Sequence, residues 1–480
     1  MLRLTALLSP LRTIVLTPIR ALAGSAPSYG IGSPLPRAPE HGECIYLDYQ
    51  ATTPVWPEVA AAAEPFLRYH WGNPSSGHAF ARPCATEVAR ARKSVAALIG
   101  CSDDEVLFTG CGSEADNHAV VGALEAEEAR RREAGAAATR VPPHFVTSNI
   151  EHPAIIECLE SLRQAGRLEV SYVAADREGR VSEADVVAAL TPETVLVSIM
   201  HSNNEVGSVQ PIEAITSAVR AARPSVLVHT DAAQSIGKLS VDVEALGVDM
   251  LTLVGHKFGA PKGVAALYIR RGLPLPKLLH GGGQEGGRRA GTESVVLLAA
   301  LGEASRIARA EGAALRAHMQ STRDLLSKLL VDGLPDGATR LNGPADATCA
   351  ARRRPHFPLL CDCAGCRGPH PRTRPRAHRH RLPNTLSIGL RDVKASVLLA
   401  RLGDQLAASA GAACHTQSAS VSAVLKAMDV PLEYAIGTLR LSTGRHTTED
   451  EVRRAAALII AEAERQWAEE RGEVAVEGAL

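Results

Sequence analysis

Aromatic side chains are scarce in this chain of 480 residues: Phe, Trp and Tyr together make up 3%, although hydrophobic residues as a whole reach 45%. A protein that grips nucleic acid by base stacking needs aromatic platforms among its cations, and this composition offers few. Neither charge sign is in excess, with 52 Lys plus Arg against 52 Asp plus Glu, so no global field draws the chain to nucleic acid or to an anionic membrane. No apolar run is long enough to span a bilayer, because Pro10, Arg12, Pro18 and Arg20 break the Leu-rich start. The ten cysteines lack the regular spacing of a secreted disulfide scaffold, which indicates a reducing compartment. These absences leave an Ala-rich, soluble enzyme long enough for two hydrophobic cores.

Residues 1–42 read as an N-terminal extension, expected to be disordered. Its arginines and its lack of any acidic residue before Glu40 also match the composition of a mitochondrial presequence. From Glu105 onward, segments such as VLFTG, HFVTS, TVLVSIM, SVLVHT and MLTLVG alternate with helical stretches, which predicts an α/β fold with a mostly parallel sheet. The large domain is expected over 43–310 and a smaller α+β domain over 311–480. A segment at about 345–381, with nine arginines and five prolines, interrupts the smaller domain and is expected to be disordered. Its CDCAGC run lacks the paired CxxC spacing of a structural zinc site, so no metal is expected.

In open parallel sheets the chemistry gathers at the carboxyl ends of strands. Lys257, in VGHKFGAPKG, follows a strand; once desolvated, such an amine loses its proton and can form a Schiff base. Asp231, in HTDAAQ, ends another strand. Its carboxylate suits a pyridine nitrogen that must stay protonated, and equally suits a helix N-cap. FTGCGSE places Gly112 and Ser113 at a strand-to-helix turn, a setting for a phosphate or for ordinary capping. Cys414, in SAGAACHT, lies among small residues where a thiolate could attack sulfur or selenium, or stay buried as a small hydrophobe.

These motifs, with YLDYQATTP, GNPSS, MHSNNEVGSVQPI, GGGQEGGRRAGTES and LRLSTGRHTT, resemble the NifS-like enzymes of the class V aminotransferase fold, which include cysteine desulfurases and selenocysteine lyase. The resemblance runs from Tyr46 to about Glu464. It implies a fold type I homodimer that binds pyridoxal 5′-phosphate, with Lys257 carrying the cofactor, Asp231 on the pyridine nitrogen and Gln234 on the ring hydroxyl. It further implies that His152 stacks on the ring and moves protons, and that Asn204 contacts ring or substrate. Gly112, Ser113 and His256 match phosphate-binding positions, Thr292 the residue that reaches the phosphate of the other subunit, and Arg440 the clamp for the substrate carboxylate. Departures include Gln50, where Asn is usual, and Cys111, where Gly is usual.

Within the family, GAACH is more similar to the lyase, whereas the desulfurases resemble SSGSACTS at this place. The expected reaction therefore converts selenocysteine to alanine with Lys257, Cys414 and His152 as catalytic groups, a selenium- or sulfur-accepting protein as a further partner, and the cytoplasm as location. A cysteine desulfurase is the nearest alternative. An aminotransferase, which would not need Cys414, and a non-enzymatic binding protein, which would not need Lys257, follow.

Overall fold

The structure is a computed structural model that describes residues 30–34, 41–135, 141–345, 380–413 and 420–474. Most of the N-terminal extension, most of the 345–381 segment and Cys414 lie outside the described residues.

Apolar β-branched runs bounded by turn residues form the strands where the sequence pattern places them. After a short β1 (Ile45–Tyr46) come β2 (Val106–Thr109), β3 (His144–Ser148), β4 (Glu169–Val173), β5 (Thr194–Ser198), β6 (Leu227–Asp231), β7 (Met250–Val254) and β8 (Ala265–Ile269). The last seven make one sheet in the order β2-β8-β7-β6-β5-β3-β4. Strands β3 to β7 run parallel, joined through helices. Strand β8 is antiparallel to both β7 and β2, because no crossover helix separates it from β7 and the chain turns straight back. Helices cover both faces, so β2, β3, β7 and β8 are buried along their whole length, as a doubly covered sheet requires.

The Val295–Gly333 helix carries the chain out of this layer. Its first half packs Leu298, Leu301 and Ile307 into the large core, and its second half packs Leu326 and Leu330 into a smaller one. Strands β9 (Thr339–Leu341), β10 (Thr385–Leu390), β11 (Leu406–Ala407), β12 (Ser409–Ala410), β13 (Ala412–Ala413), β14 (Ser420–Val421) and β15 (Thr438–Ser442) follow. A four-stranded antiparallel sheet in the order β12-β15-β10-β9 lies against the Glu449–Glu470 helix, whose Thr448 and Glu451 form a reciprocal capping box. The β13–β14 hairpin brackets the segment that holds Cys414.

Three features depart from the sequence expectation. Strand β1 pairs with β11, and Ile45 and Leu47 sit in the smaller core, so the start of the expected large domain packs on the C-terminal sheet. Within the extension expected to be disordered, residues 30–34 are docked: Gly32 N–H donates to Arg445 O at 2.8 Å, His446 Nδ1 meets Ser33 O at 2.9 Å, and Ile31 packs on the large core. Finally Arg381, at the end of the Arg-rich segment, is fully buried. Its guanidinium donates to the carbonyls of Pro344 (2.7 Å), Asn342 (2.5 Å) and Val206 (3.2 Å), clamping the two ends of that segment together.

Removing a buried guanidinium leaves its carbonyl partners dry and unpaired. Arg381→Met is therefore expected to destabilise the protein by about 2–4 kcal/mol, read as a lower denaturant midpoint at unchanged slope; an unchanged midpoint would contradict the clamp.

Candidate active site

Five of the expected residues lie at the carboxyl ends of strands in one sheet: Ser113 beyond β2, His152 beyond β3, Asn204 beyond β5, Asp231 on β6 and Lys257 beyond β7. Lys257 closes a short 3-10 turn, and its Nζ donates to the backbone carbonyls of Gln50 (2.7 Å) and Ala51 (2.9 Å). Burial pushes its pKa down to about 8, with Arg440 adding to the shift and Asp231 and Asp48 opposing it. Roughly a tenth of the amine is thus unprotonated at pH 7 and half near pH 8, far more than for an ordinary lysine, and this is the form that attacks a carbonyl carbon.

Asp231 is buried, with Oδ1 accepting from Ala233 N–H at 2.8 Å in a tight turn; no helix starts there. Burial raises its pKa, while Ala233 N–H, His152 and Lys257 pull it back. A cationic partner on the open side would complete its ionisation. Two more buried carboxyls stand behind it. Asp116, with Oδ1 3.8 Å from His229 Nε2, has its pKa raised by burial and by Asp231; Glu151 is pushed up to about 8 by burial. Asp231 is therefore the carboxyl of this group that is placed to meet a cation.

His152 caps the Pro153–Gln164 helix, its Nδ1 accepting from Ala154 N–H at 3.1 Å, so the Nε2 edge is the one left for chemistry. Its pKa is lowered by desolvation, with Lys257 assisting and Asp231 opposing. Gln234 is buried and donates through Nε2 to Gln50 O at 3.1 Å, the same carbonyl that Lys257 uses.

A phosphate would find a cradle at the start of the Gly112–Glu133 helix. A Cβ at Gly112 would come within 2.6 Å of Val254 Cγ2, so only glycine lets that backbone lie against the end of β7. Cys111 takes the N-cap, its Sγ accepting from Glu114 N–H at 3.4 Å, which leaves the first N–H groups of the helix and the exposed Ser113 hydroxyl for an anion. The bulk of Cys111 is accommodated because the side chain is exposed. His256 lies on the same rim, with Nδ1 3.1 Å from Thr52 Oγ1 and a pKa pushed down to about 4 by burial and the neighbouring lysines. A neutral imidazole there can donate one hydrogen bond to a phosphate oxygen.

Arg440, on β15, reaches the site from the smaller domain. It donates to Asp48 Oδ1 (3.0 Å), Ser409 Oγ (2.9 Å) and Asn204 O (3.3 Å), and borders a polar cavity of about 190 Å³ shared with Glu205, Ser422 and Thr438. Asp48 was not anticipated as its partner, although it stands in the YLDYQATTP motif. Asn204 meets Arg440 through its backbone carbonyl. Thr292 is solvent-exposed on the loop before the long helix, apart from these groups. A larger hollow of about 690 Å³ beside Arg180, Gln210 and His380 gathers none of them. Among the described residues no cluster of His, Cys, Asp and Glu could hold a metal, and no helix is long and apolar enough to cross a membrane.

An amine with a lowered pKa, a buried carboxyl and an anion cradle at the carboxyl edge of one sheet fit pyridoxal 5′-phosphate: the aldehyde, the ring nitrogen and the phosphate would each meet a group of suitable chemistry. The chain matches the aminotransferase class-V family over residues 45–350, and it belongs to that family of pyridoxal-phosphate enzymes. Among characterised relatives, cysteine desulfurase IscS of Dictyoglomus turgidum is 35% identical over 409 residues, 85% of this chain and 91% of that protein. Cysteine desulfurase 2 of Trichormus variabilis is 38% identical over 409 residues, 85% of this chain and 90% of that protein. Human selenocysteine lyase is 36% identical over 454 residues, 88% of this chain and 94% of that enzyme. A solved NifS-like protein superposes with a TM-score of 0.73 at 31% identity, covering 88% of this chain and 100% of its own.

The shifted amine sets a pH dependence. Capture of pyridoxal phosphate by cofactor-free protein should accelerate with pH, reach half its maximum near pH 8, where half of Lys257 has lost its proton, and level off about one pH unit above. A rate still climbing at about pH 10, the ordinary lysine range, would contradict this reading of the site.

Proposed function

We propose that this enzyme breaks the carbon–selenium bond of selenocysteine, leaving alanine and passing selenium to a thiol, with cysteine and its carbon–sulfur bond as the alternative substrate. The observation that carries the reading is the placement of Lys257 between Asp231 on one strand end and Arg440 on the smaller domain, an arrangement for an α-amino acid held by its carboxylate. The lyase text GAACH and the 454-residue span shared with the human lyase favour selenium. The identities to desulfurases keep sulfur as the second reading.

When bound, pyridoxal phosphate supplies an electron sink for the bonds broken at the substrate's α and β carbons. Arg440 receives the substrate carboxylate; its planar fork suits two parallel hydrogen bonds, and Asp48 holds the guanidinium in place until then. Lys257 Nζ, freed when the substrate amine takes its place, removes the α-proton and later returns one. Asp231 stabilises a proton on the ring nitrogen, a charge arranged before the reaction begins. His152 Nε2, the ring nitrogen not used in capping the helix, would carry protons beside the bound cofactor. Cys414 attacks the chalcogen: a sulfur–selenium bond forms, the carbon–selenium bond breaks, and the thiol proton is balanced by the one gained at the β carbon. A selenol is more acidic than a thiol, so a Cys414 environment suited to a selenolate would discriminate by ionisation and not by shape.

The homodimer belongs to the same proposal. Thr292 is exposed in the single chain, and Leu67, Tyr69, Trp71 and Phe80 form an exposed apolar group with Trp71 and Phe80 stacked at 5.2 Å, a surface a second copy would cover. An acceptor protein for selenium or sulfur, and a cytoplasmic location, follow from the lyase-like text.

The test is alanine formation from selenocysteine and from cysteine, with a dithiol reductant present, by wild type, Cys414→Ala and Lys257→Ala. Selenocysteine should be strongly preferred, and Lys257→Ala should lower turnover by about 10²–10⁴. Comparable cysteine turnover abolished in Cys414→Ala would establish the desulfurase reading instead, and keto acid in place of alanine would overturn both.

A further inference from the structure

A second lysine lies in the same pocket. Lys238 is 3% exposed, four residues after Gln234, and lines the small hollow that also borders Lys257. Its Nζ donates to two side-chain amide oxygens, Gln50 Oε1 at 2.9 Å and Gln234 Oε1 at 3.0 Å. Burial and the charges of Lys257 and Arg440 push its pKa well down, and even the neutral amine keeps two N–H donors, one for each oxygen. A flipped amide on either glutamine would forfeit the hydrogen bond from Lys238, and a flipped Gln234 would also set its oxygen against Gln50 O, so both amide oxygens face Lys238. The two amide nitrogens are thereby turned outward. Gln50 Nε2 donates to Thr385 Oγ1 at 2.7 Å, tying the pocket to β10 of the smaller domain, and Gln234 Nε2 points to the Lys257 side, where it spends one N–H on Gln50 O at 3.1 Å.

We propose that Lys238 is a positioning residue for the cofactor: by holding the Gln234 amide oxygen, it fixes the second N–H of Gln234 toward the ring oxygen of bound pyridoxal phosphate. The inference rests on the cofactor reading above and assigns Lys238 a task distinct from that of Lys257. Lys257 reacts; Lys238 sets the direction of a neighbour. The ring oxygen is an acceptor when ionised, so it requires the donor end of the amide. A glutamine free to rotate would present its oxygen part of the time and repel it.

The experiment compares cofactor-free wild type, Lys238→Met, Gln234→Met and the double variant by three readouts: the dissociation constant for pyridoxal phosphate, the absorption maximum of the bound cofactor in the visible range, and the melting temperature without cofactor. Lys238→Met should weaken cofactor binding about tenfold, the worth of one well-placed hydrogen bond, and move the absorption maximum. In the Gln234→Met background the same substitution should add almost nothing, because its effect passes through Gln234. Losses that add in full, or an unmoved maximum with only a lower melting temperature, would overturn the proposal and leave Lys238 a packing residue. Lys238→Arg, which keeps N–H donors for the Gln234 oxygen, covers the case in which Lys238→Met does not fold: it should keep the wild-type maximum, and a shifted maximum would overturn the proposal. Wild type that takes up no pyridoxal phosphate would overturn the cofactor reading itself, a result separable from any behaviour of the variants.

Discussion

An amine taken out of water must either give up its proton or find a countercharge, and Lys257 is held between those outcomes. Its hydrogen-bond partners are two backbone carbonyls, Gln50 and Ala51, which orient the nitrogen without neutralising a charge on it. Asp231 draws the proton back, whereas burial and Arg440 drive it off. The balance gives a nucleophile close to neutral pH, and it depends on the sheet: β6 and β7 are neighbours and parallel, so the carboxylate and the amine emerge side by side from the same edge.

The smaller domain is part of this balance. Arg440 arrives on β15 and is restrained by Asp48, which lies just after β1, itself paired to β11. Gln50 links the same N-terminal stretch to β10 through Thr385. The residues from 45 to 51 thus act as a strap that touches Lys257, Gln234, Lys238 and Arg440, so a shift between the two cores would be felt at the amine. The long Val295–Gly333 helix, shared by both cores, resists such a shift.

The sheet was legible in the sequence because its strands are buried on both faces and read as short apolar runs between turn residues, and the Gly112, Asp231 and Lys257 motifs stand at their ends. Other features left no local trace. Asp48 and Arg440 are separated by 392 positions, and nothing near either one announces the other. Arg381 was indistinguishable from the other arginines of its segment, because the carbonyls of Val206, Asn342 and Pro344 that accept from it lie at least 37 positions away. Residues 30–34 lack a hydrophobic pattern and are held chiefly by Arg445 and His446, more than 400 positions away. Lys238 had one usable signal, its helical spacing of four from Gln234, but a lysine there reads as a surface charge until the pocket around it is seen.

Two lysines in one pocket make the assignment of the reactive amine the central claim, and it can be read chemically. Protein loaded with pyridoxal phosphate would be treated with borohydride, which converts the cofactor's carbon–nitrogen link to lysine into a stable amine, then digested and mapped by mass spectrometry. The account predicts the phosphopyridoxyl label on the peptide containing Lys257. A label on Lys238, or labelling spread over surface lysines, would contradict it.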